Sequence, residues 1–167
     1  MAINILKILG RLPFIPPKKQ LELYPPFFFM RVKILHLSDD WQSLRLKLPL
    51  NLASKNMGDS MFGGYQAAVS DPIAALACAK RFPGHEVWTR SHSLDFQYEG
   101  NSDLELRFDF SDEQYETIKK ELAEKGRSTP VFEYGLYRSD GVRCTIVKNT
   151  VAIRPKGYQA RRDRKKT

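Results

Sequence analysis

The sequence predicts an α+β domain in which an antiparallel sheet curls around one long, mostly apolar helix. Three observations lead there. The stretch from Gly63 to about Phe82 holds Ala67, Ala68, Ala74, Ala75, Ala77 and Ala79 with Val69, Ile73, Leu76 and Cys78. Apolar residues fall on nearly every face of it, the pattern of a helix enclosed by other elements. A pair of strand-like patterns precedes it and four more follow, so strands and helices do not alternate as they would in a doubly wound parallel sheet.

The elements follow in order. Met1 to Leu12 is short and apolar, with Ile3, Leu6, Ile8 and Leu9 near one face and Lys7 and Arg11 inside. No small-residue cleavage site follows, so it reads as an amphipathic helix that packs on the domain or covers a pocket rather than as a signal peptide. Pro13, Pro16, Pro17, Pro25 and Pro26 break the next region into turns and helix pieces. Phe27-Phe28-Phe29 is expected to anchor it by packing. Val32, Ile34, Leu35 and Leu37 form a first strand, Ser38-Asp39-Asp40 a turn, and Leu44, Leu46 and Leu48 the inward face of a second strand.

After the polar loop Asn51 to Ser60, Gly63-Gly64 opens the long helix. Pro72 removes one of its backbone bonds, and Pro83-Gly84 ends it. In the next strand Trp88, Arg90, His92, Leu94, Phe96 and Tyr98 share one parity. Leu104, Leu106, Phe108 and Phe110 alternate with Glu105, Arg107 and Asp109. Ser111 with Gln114 three residues on is a capping-box start for a charged surface helix that Gly126 stops. Val131 to Tyr137 and Val142 to Ile153 are two strands joined by a Ser139-Asp140-Gly141 hairpin turn. The organisation expected is a lead-in at 1–29, one domain at 30–154 and a basic tail at 155–167.

The 167 residues suit one domain, and a hydrophobic content of 42% with 11% aromatics excludes a disordered chain. The net charge of +8 invites a nucleic-acid reading, but Arg154 to Thr167 carries +6 of it and the remainder only +2. Basicity thus belongs to an appendage, solvated or available to anions. Cys78 and Cys144 form neither a disulfide framework nor a metal motif, and read as buried thiols of a reducing, cytoplasmic compartment. No run approaches the length of a membrane span. Among the histidines, His92 reads as a satisfied core or interface residue and His36 and His85 as surface residues near turns. No Ser-His-Asp constellation assembles from sequence.

Asn56-Met57-Gly58-Asp59-Ser60-Met61-Phe62-Gly63-Gly64, followed by Ala67-Ala68-Val69-Ser70-Asp71-Pro72, resembles the hotdog-fold thioesterase superfamily. The phenylacetyl-CoA-type thioesterases share the Asn-containing loop, the Gly-Gly helix start and the acidic residue on the helix. The likeness is greatest to a functionally uncharacterised branch with Phe-Gly-Gly and Asp-Pro segments. It extends through Glu86-Val87-Trp88, Leu94-Asp95-Phe96 and Val151-Ala152-Ile153-Arg154.

The resemblance implies a homodimer, or a dimer of dimers, with acyl-CoA or another acyl thioester as substrate at the subunit interface and no cofactor. Gly63 and Gly64 would form the oxyanion hole; close packing at a tight helix entry is the plain alternative. Asp71 would be the general base or the nucleophile, with a raised pKa if buried; its alternative is a helix N-cap before Pro72. Asn56 would orient substrate or water, or simply shape its loop. Arg90 would meet CoA phosphates or serve only as a surface cation. Phe62 stands where many relatives carry His before Gly-Gly, and a phenyl ring packs against an acyl chain but donates no hydrogen bond. Two functions therefore stay open: Asp-assisted thioester hydrolysis, and non-catalytic binding of an acyl ligand or protein partner.

Overall fold

The computed structural model describes residues 15–158. The expected helix at Met1 to Leu12 and the residues of the basic tail from 159 onward lie outside them. Two short helices, α1 (Pro17–Glu22) and α2 (Pro25–Phe29), each begin on the proline that suits a first helical turn. They lead into β1 (Lys33–Leu37), β2 (Ser43–Leu48) and the long α3 (Gly63–Arg81). Then come β3 (His85–Phe96), β4 (Leu104–Asp109), α4 (Asp112–Lys125), β5 (Val131–Tyr137) and β6 (Arg143–Pro155).

The six strands make one sheet in the order β1-β2-β4-β5-β6-β3, and every pairing is antiparallel. The inward set is the one the alternation predicts: Leu44, Leu46 and Leu48 on β2, and Leu104, Leu106 and Phe108 on β4, all buried. Against it lies the face of α3 formed by Gln66, Val69, Ser70, Ile73, Ala74, Ala77 and Cys78, spaced by three and four residues. An aromatic cluster closes one end of the core. Phe110 meets Phe132 edge-on at 5.0 Å, and Phe82 stacks on Tyr115 at 5.2 Å. Tyr115 and Ile118 seat α4 there, and its capping box (Ser111, Gln114) and left-handed Gly126 stop are both present.

Four expectations change. First, α3 is not enclosed on all sides: Gly64, Ala68, Asp71 and Ala79 are exposed along one stripe. Small side chains had made an open face look like core. Second, Phe27 alone of the three phenylalanines is an anchor at 0% exposure, while Phe28 and Phe29 face outward at 58% and 76%. On a helical turn three consecutive residues cannot share a face.

Third, β3 does not keep one parity. A bulge between Thr89 and Ser91 lets Val87 and Thr89 turn inward before it and His92 and Leu94 after it, so Trp88 and His92 lie on opposite faces. Fourth, Arg154 is not part of a solvated tail. It is 8% exposed, and its guanidinium donates to the carbonyls of Ser128 and Ile153 and to Thr129 Oγ1, near the rings of Trp88 and Tyr158.

Both cysteines are buried and unpaired, as expected, and burial pushes the Cys78 thiol up to about 12. Neither should react with a thiol reagent in the native protein, and both should titrate with Ellman's reagent once the chain is unfolded. Phe110→Ala should cost about 3–5 kcal/mol in urea unfolding, because the ring it removes is ringed by other aromatics that cannot collapse into the space.

Candidate functional site

The loop before α3 is held by two small polar residues. Ser54 is fully buried; its hydroxyl donates to the Pro49 carbonyl at 2.8 Å and accepts from Asn51 N–H at 2.8 Å. Its own carbonyl takes the Phe62 N–H at 2.7 Å, which fixes the chain direction entering the helix. Asn56 folds back on its loop, Oδ1 accepting from Gly58 N–H at 2.9 Å and Ser60 N–H at 3.2 Å. The plain reading of Asn56 as a turn residue therefore holds, yet it also lines a pocket of about 390 Å³ with Ser60, Gly63, Gln66, Phe96 and Glu99. Glu99 is an acid the sequence reading passed over, because nothing in its turn-like surroundings marks it.

The helix start is open and aromatic. Among the described residues the N–H groups of Gly63 and Gly64 have no acceptor, while Tyr65 N–H already bonds the Phe62 carbonyl at 3.0 Å. The rings of Phe62 and Phe96 lie over the two glycines. A Cβ at Gly63 would stand 3.0 Å from Phe96, and one at Gly64 would collide with the ring of Phe62. Close packing thus explains both glycines, and the same approach leaves their amides uncovered by side chains of their own. Phe62 and Phe96 are 51% and 53% exposed, so they flank the helix start as a partly open apolar lip.

Asp71 lies elsewhere. The helix begins at Gly63 and runs unbroken through Pro72, so Asp71 is not an N-cap. Its carboxylate is exposed, on a second groove of about 510 Å³ shared with Ala75, Leu76, Thr89, Arg90 and His92. Arg90 is exposed and makes no ion pair or hydrogen bond among the described residues. The eight residue steps from Gly63 to Asp71 span about 12 Å of helix rise. Within one chain, therefore, the structure brings Asn56 to Gly63 and Arg90 to Asp71, but does not bring the two pairs together.

A buried polar network that no local pattern announces stands behind Asp71. Tyr134 donates its hydroxyl to the Ser70 carbonyl at 2.6 Å. Asn149 Nδ2 and Thr89 Oγ1 donate to the Asp71 carbonyl at 2.8 and 3.0 Å. Thr145 Oγ1 donates to Gln66 Oε1 at 2.6 Å. Strands β3, β5 and β6 thereby grip the backbone of α3 at the turn where Pro72 has removed a donor.

His92 belongs to this network, with Nε2 3.1 Å from Ser70 Oγ. The Ser70 hydroxyl has one proton and donates it to the Gln66 carbonyl at 2.6 Å. Toward His92 it can only accept, which puts a proton on Nε2 and leaves the Nδ1 lone pair free on the groove side. Ser70 is 0% exposed, so it positions the imidazole and is no nucleophile. Burial lowers the His92 pKa, against a smaller opposing pull from Asp71, and the ring is neutral near pH 7. Among the described residues no group of His, Cys, Asp and Glu could hold a metal ion.

No family model and no curated protein matches the chain. Solved structures do. A protein of unknown function from Pseudomonas aeruginosa superposes with a TM-score of 0.74 at 15% identity, over 84% of this chain and 96% of that one. A thioesterase from Haemophilus influenzae gives 0.64 at 10% identity, over 95% and 96%. A Staphylococcus aureus thioesterase gives 0.60 at 15% identity, over 77% and 97%; it has been solved with a glutamine-to-alanine change and again with a glutamate-to-alanine change fifteen positions further along. At such identities the likeness defines the fold: this is a hotdog-fold chain.

The depressed His92 pKa has a consequence for stability. The unfolded chain, with an ordinary histidine near 6.5, takes up the proton before the folded one does. The stability that the neutral ring contributes is complete above that value and is lost as the pH falls from it toward the folded pKa. In wild type the Tm should fall between about pH 7 and pH 5, and the fall should be shallower in His92→Gln.

Proposed function

We propose that the chain is an acyl-thioester hydrolase acting on acyl-CoA as a homodimer, each site combining the α3 start of one protomer with Asp71 of the other. The observation that carries this is the 12 Å rise between the two halves, to be compared with the roughly 3 Å at which both a carbonyl-polarising donor and a base must work. One chain cannot satisfy both, and a second copy can. The open stripe Gly64, Ala68, Asp71 and Ala79 is narrow enough for a neighbouring helix or an acyl chain to approach closely. Twelve-residue β3 ends the sheet with its outer backbone groups free to pair, whereas the other edge, β1, is five residues long and bulged.

In this reading the Gly63 and Gly64 N–H groups and the positive end of α3 polarise the thioester carbonyl. Asp71 takes a proton from water as the water attacks, or attacks the carbonyl itself. The tetrahedral oxyanion then collapses, breaks the C–S bond and releases CoA as thiolate; where Asp71 is the nucleophile, water then cleaves the acyl–Asp71 anhydride, releasing the acid and the free carboxylate. Neutral His92, with its free Nδ1 on the same groove, orients the water or accepts its proton. Arg90 meets a CoA phosphate and Asn56 helps place the carbonyl. Support for the roles of Asn56 and Asp71 comes from spacing: the two are fifteen positions apart, the separation of the amide and carboxylate changed in the Staphylococcus aureus thioesterase. The buried thiols fit a cytoplasmic setting. No cofactor is needed.

One observation favours a second reading. The Phe62 ring lies directly over Gly64, and a lid of that kind suits a protein that holds an acyl ligand without hydrolysing it. Turnover of an acyl-CoA panel separates the two. Asp71→Asn should lower kcat by about 10²–10⁴ with the dimer intact. Gly63→Pro deletes one amide donor at a position where proline is tolerated, and should cost about 10²–10³. Mixing the two inactive dimers with subunit exchange should restore about a quarter of wild-type turnover, since half the dimers then carry one intact site. Absence of recovery would sink the shared site. A wild type that binds every acyl-CoA and turns over none would establish the binding protein.

A further inference from the structure

The lead-in builds a surface that the core does not use. Phe27 pins α2 to the domain, and Phe28 and Phe29 project from it edge to face at 5.8 Å, a stiff aromatic wedge. Leu23, 42% exposed at the end of α1, joins them along a groove of about 860 Å³. Lys19, Arg31 and Lys33 stand on the groove, with Glu22 as its one acid. Glu22 is engaged from within: its side chain is 13% exposed, bonds Lys19 at 2.6 Å and Lys33 at 3.9 Å, and accepts from Ile34 N–H at 3.0 Å. Arg31, held in the left-handed region at φ 57° just past α2, makes no ion pair among the described residues.

An apolar wedge with a cationic rim matches one environment well. Rings enter the boundary between headgroups and acyl chains, while guanidinium and ammonium groups meet lipid phosphates. A second copy is a poor occupant, because a two-fold contact pairs this surface with itself and the only acid the groove offers, Glu22, is already engaged by Lys19 and Lys33. We propose that this face docks the protein on the surface of an anionic bilayer. The proposal stands apart from the thioesterase reading, since it uses neither α3 nor its grooves.

The test is co-sedimentation of the full chain with vesicles of phosphatidylcholine alone and of phosphatidylcholine mixed with phosphatidylglycerol. Wild type should bind the mixed vesicles, weakly or not at all the neutral ones, and less as salt rises. Phe28→Ser with Phe29→Ser, and separately Arg31→Glu, should each weaken binding about tenfold or more while leaving thermal unfolding unchanged. A variant ending at Tyr158 should retain the part of binding that depends on the phenylalanines. The proposal is overturned if wild type ignores both vesicles or if the phenylalanine variant binds like wild type. It also fails if removing residues 159–167 abolishes binding altogether, or if the phenylalanine variant, without lipid, sediments as a smaller oligomer than wild type.

Discussion

The contact between α3 and the concave side of the sheet decides most of what this molecule is. Val69, Ile73, Ala74 and Ala77 are at most 2% exposed and share one buried core with Leu46, Leu106, Leu136 and Val147, which are fully buried. Small side chains on the helix let it lie close to a strongly curved sheet, and larger ones would push it out. The apolar seam of Val69, Ile73, Ala74, Ala77 and Cys78 packs the helix against the sheet but makes no directional bond that fixes it along its axis. The polar grip of Tyr134, Asn149, Thr89 and Thr145 supplies that registration, and each of these donors reaches a particular backbone or amide oxygen. Most of these buried polar atoms satisfy one another, while Asn149 Oδ1 has no partner among the described residues.

That registration bears directly on chemistry. The strands that hold the Ser70 and Asp71 carbonyls also present His92, so the imidazole and the carboxylate are set by the same bonds. The helix start is fixed separately, by the Ser54 carbonyl and by the rings of Phe62 and Phe96. In the proposed hydrolase these two half-sites, too far apart to act on one atom of one chain, would meet across a two-fold contact. The edge strand β3 carries His92 and lines the Asp71 groove.

The half-sites differ in how readable they were. Asn56, Phe62, Gly63, Gly64 and Asp71 drew notice because Gly-Gly and Asp-Pro are conspicuous and their spacing matched a familiar order. Their positions on α3 and its loop were correctly placed. Ser70, His92, Tyr134 and Asn149 carry no such mark. Each is an ordinary residue in a strand, helix or turn pattern, and they meet only through pairings that join positions up to seventy-eight residues apart. The bulge at Thr89–Ser91 is part of the same problem: it decides which way His92 faces, and an extra residue in a strand leaves no mark on composition.

By itself the sequence determined the elements and their ends. Two-residue alternation sets β2 and β4, the Ser111–Gln114 box and Gly126 bound α4, and Gly63-Gly64 and Pro83-Gly84 bound α3. Those are local effects, settled within a few residues by backbone sterics and side-chain capping. Only the tertiary structure decided that α3 keeps one face open, that Phe28 and Phe29 point outward while Phe27 does not, and that Arg154 is enclosed. Burial and distance are properties of what packs against a residue, and the packing partners here come from remote strands whose order and register no local pattern encodes.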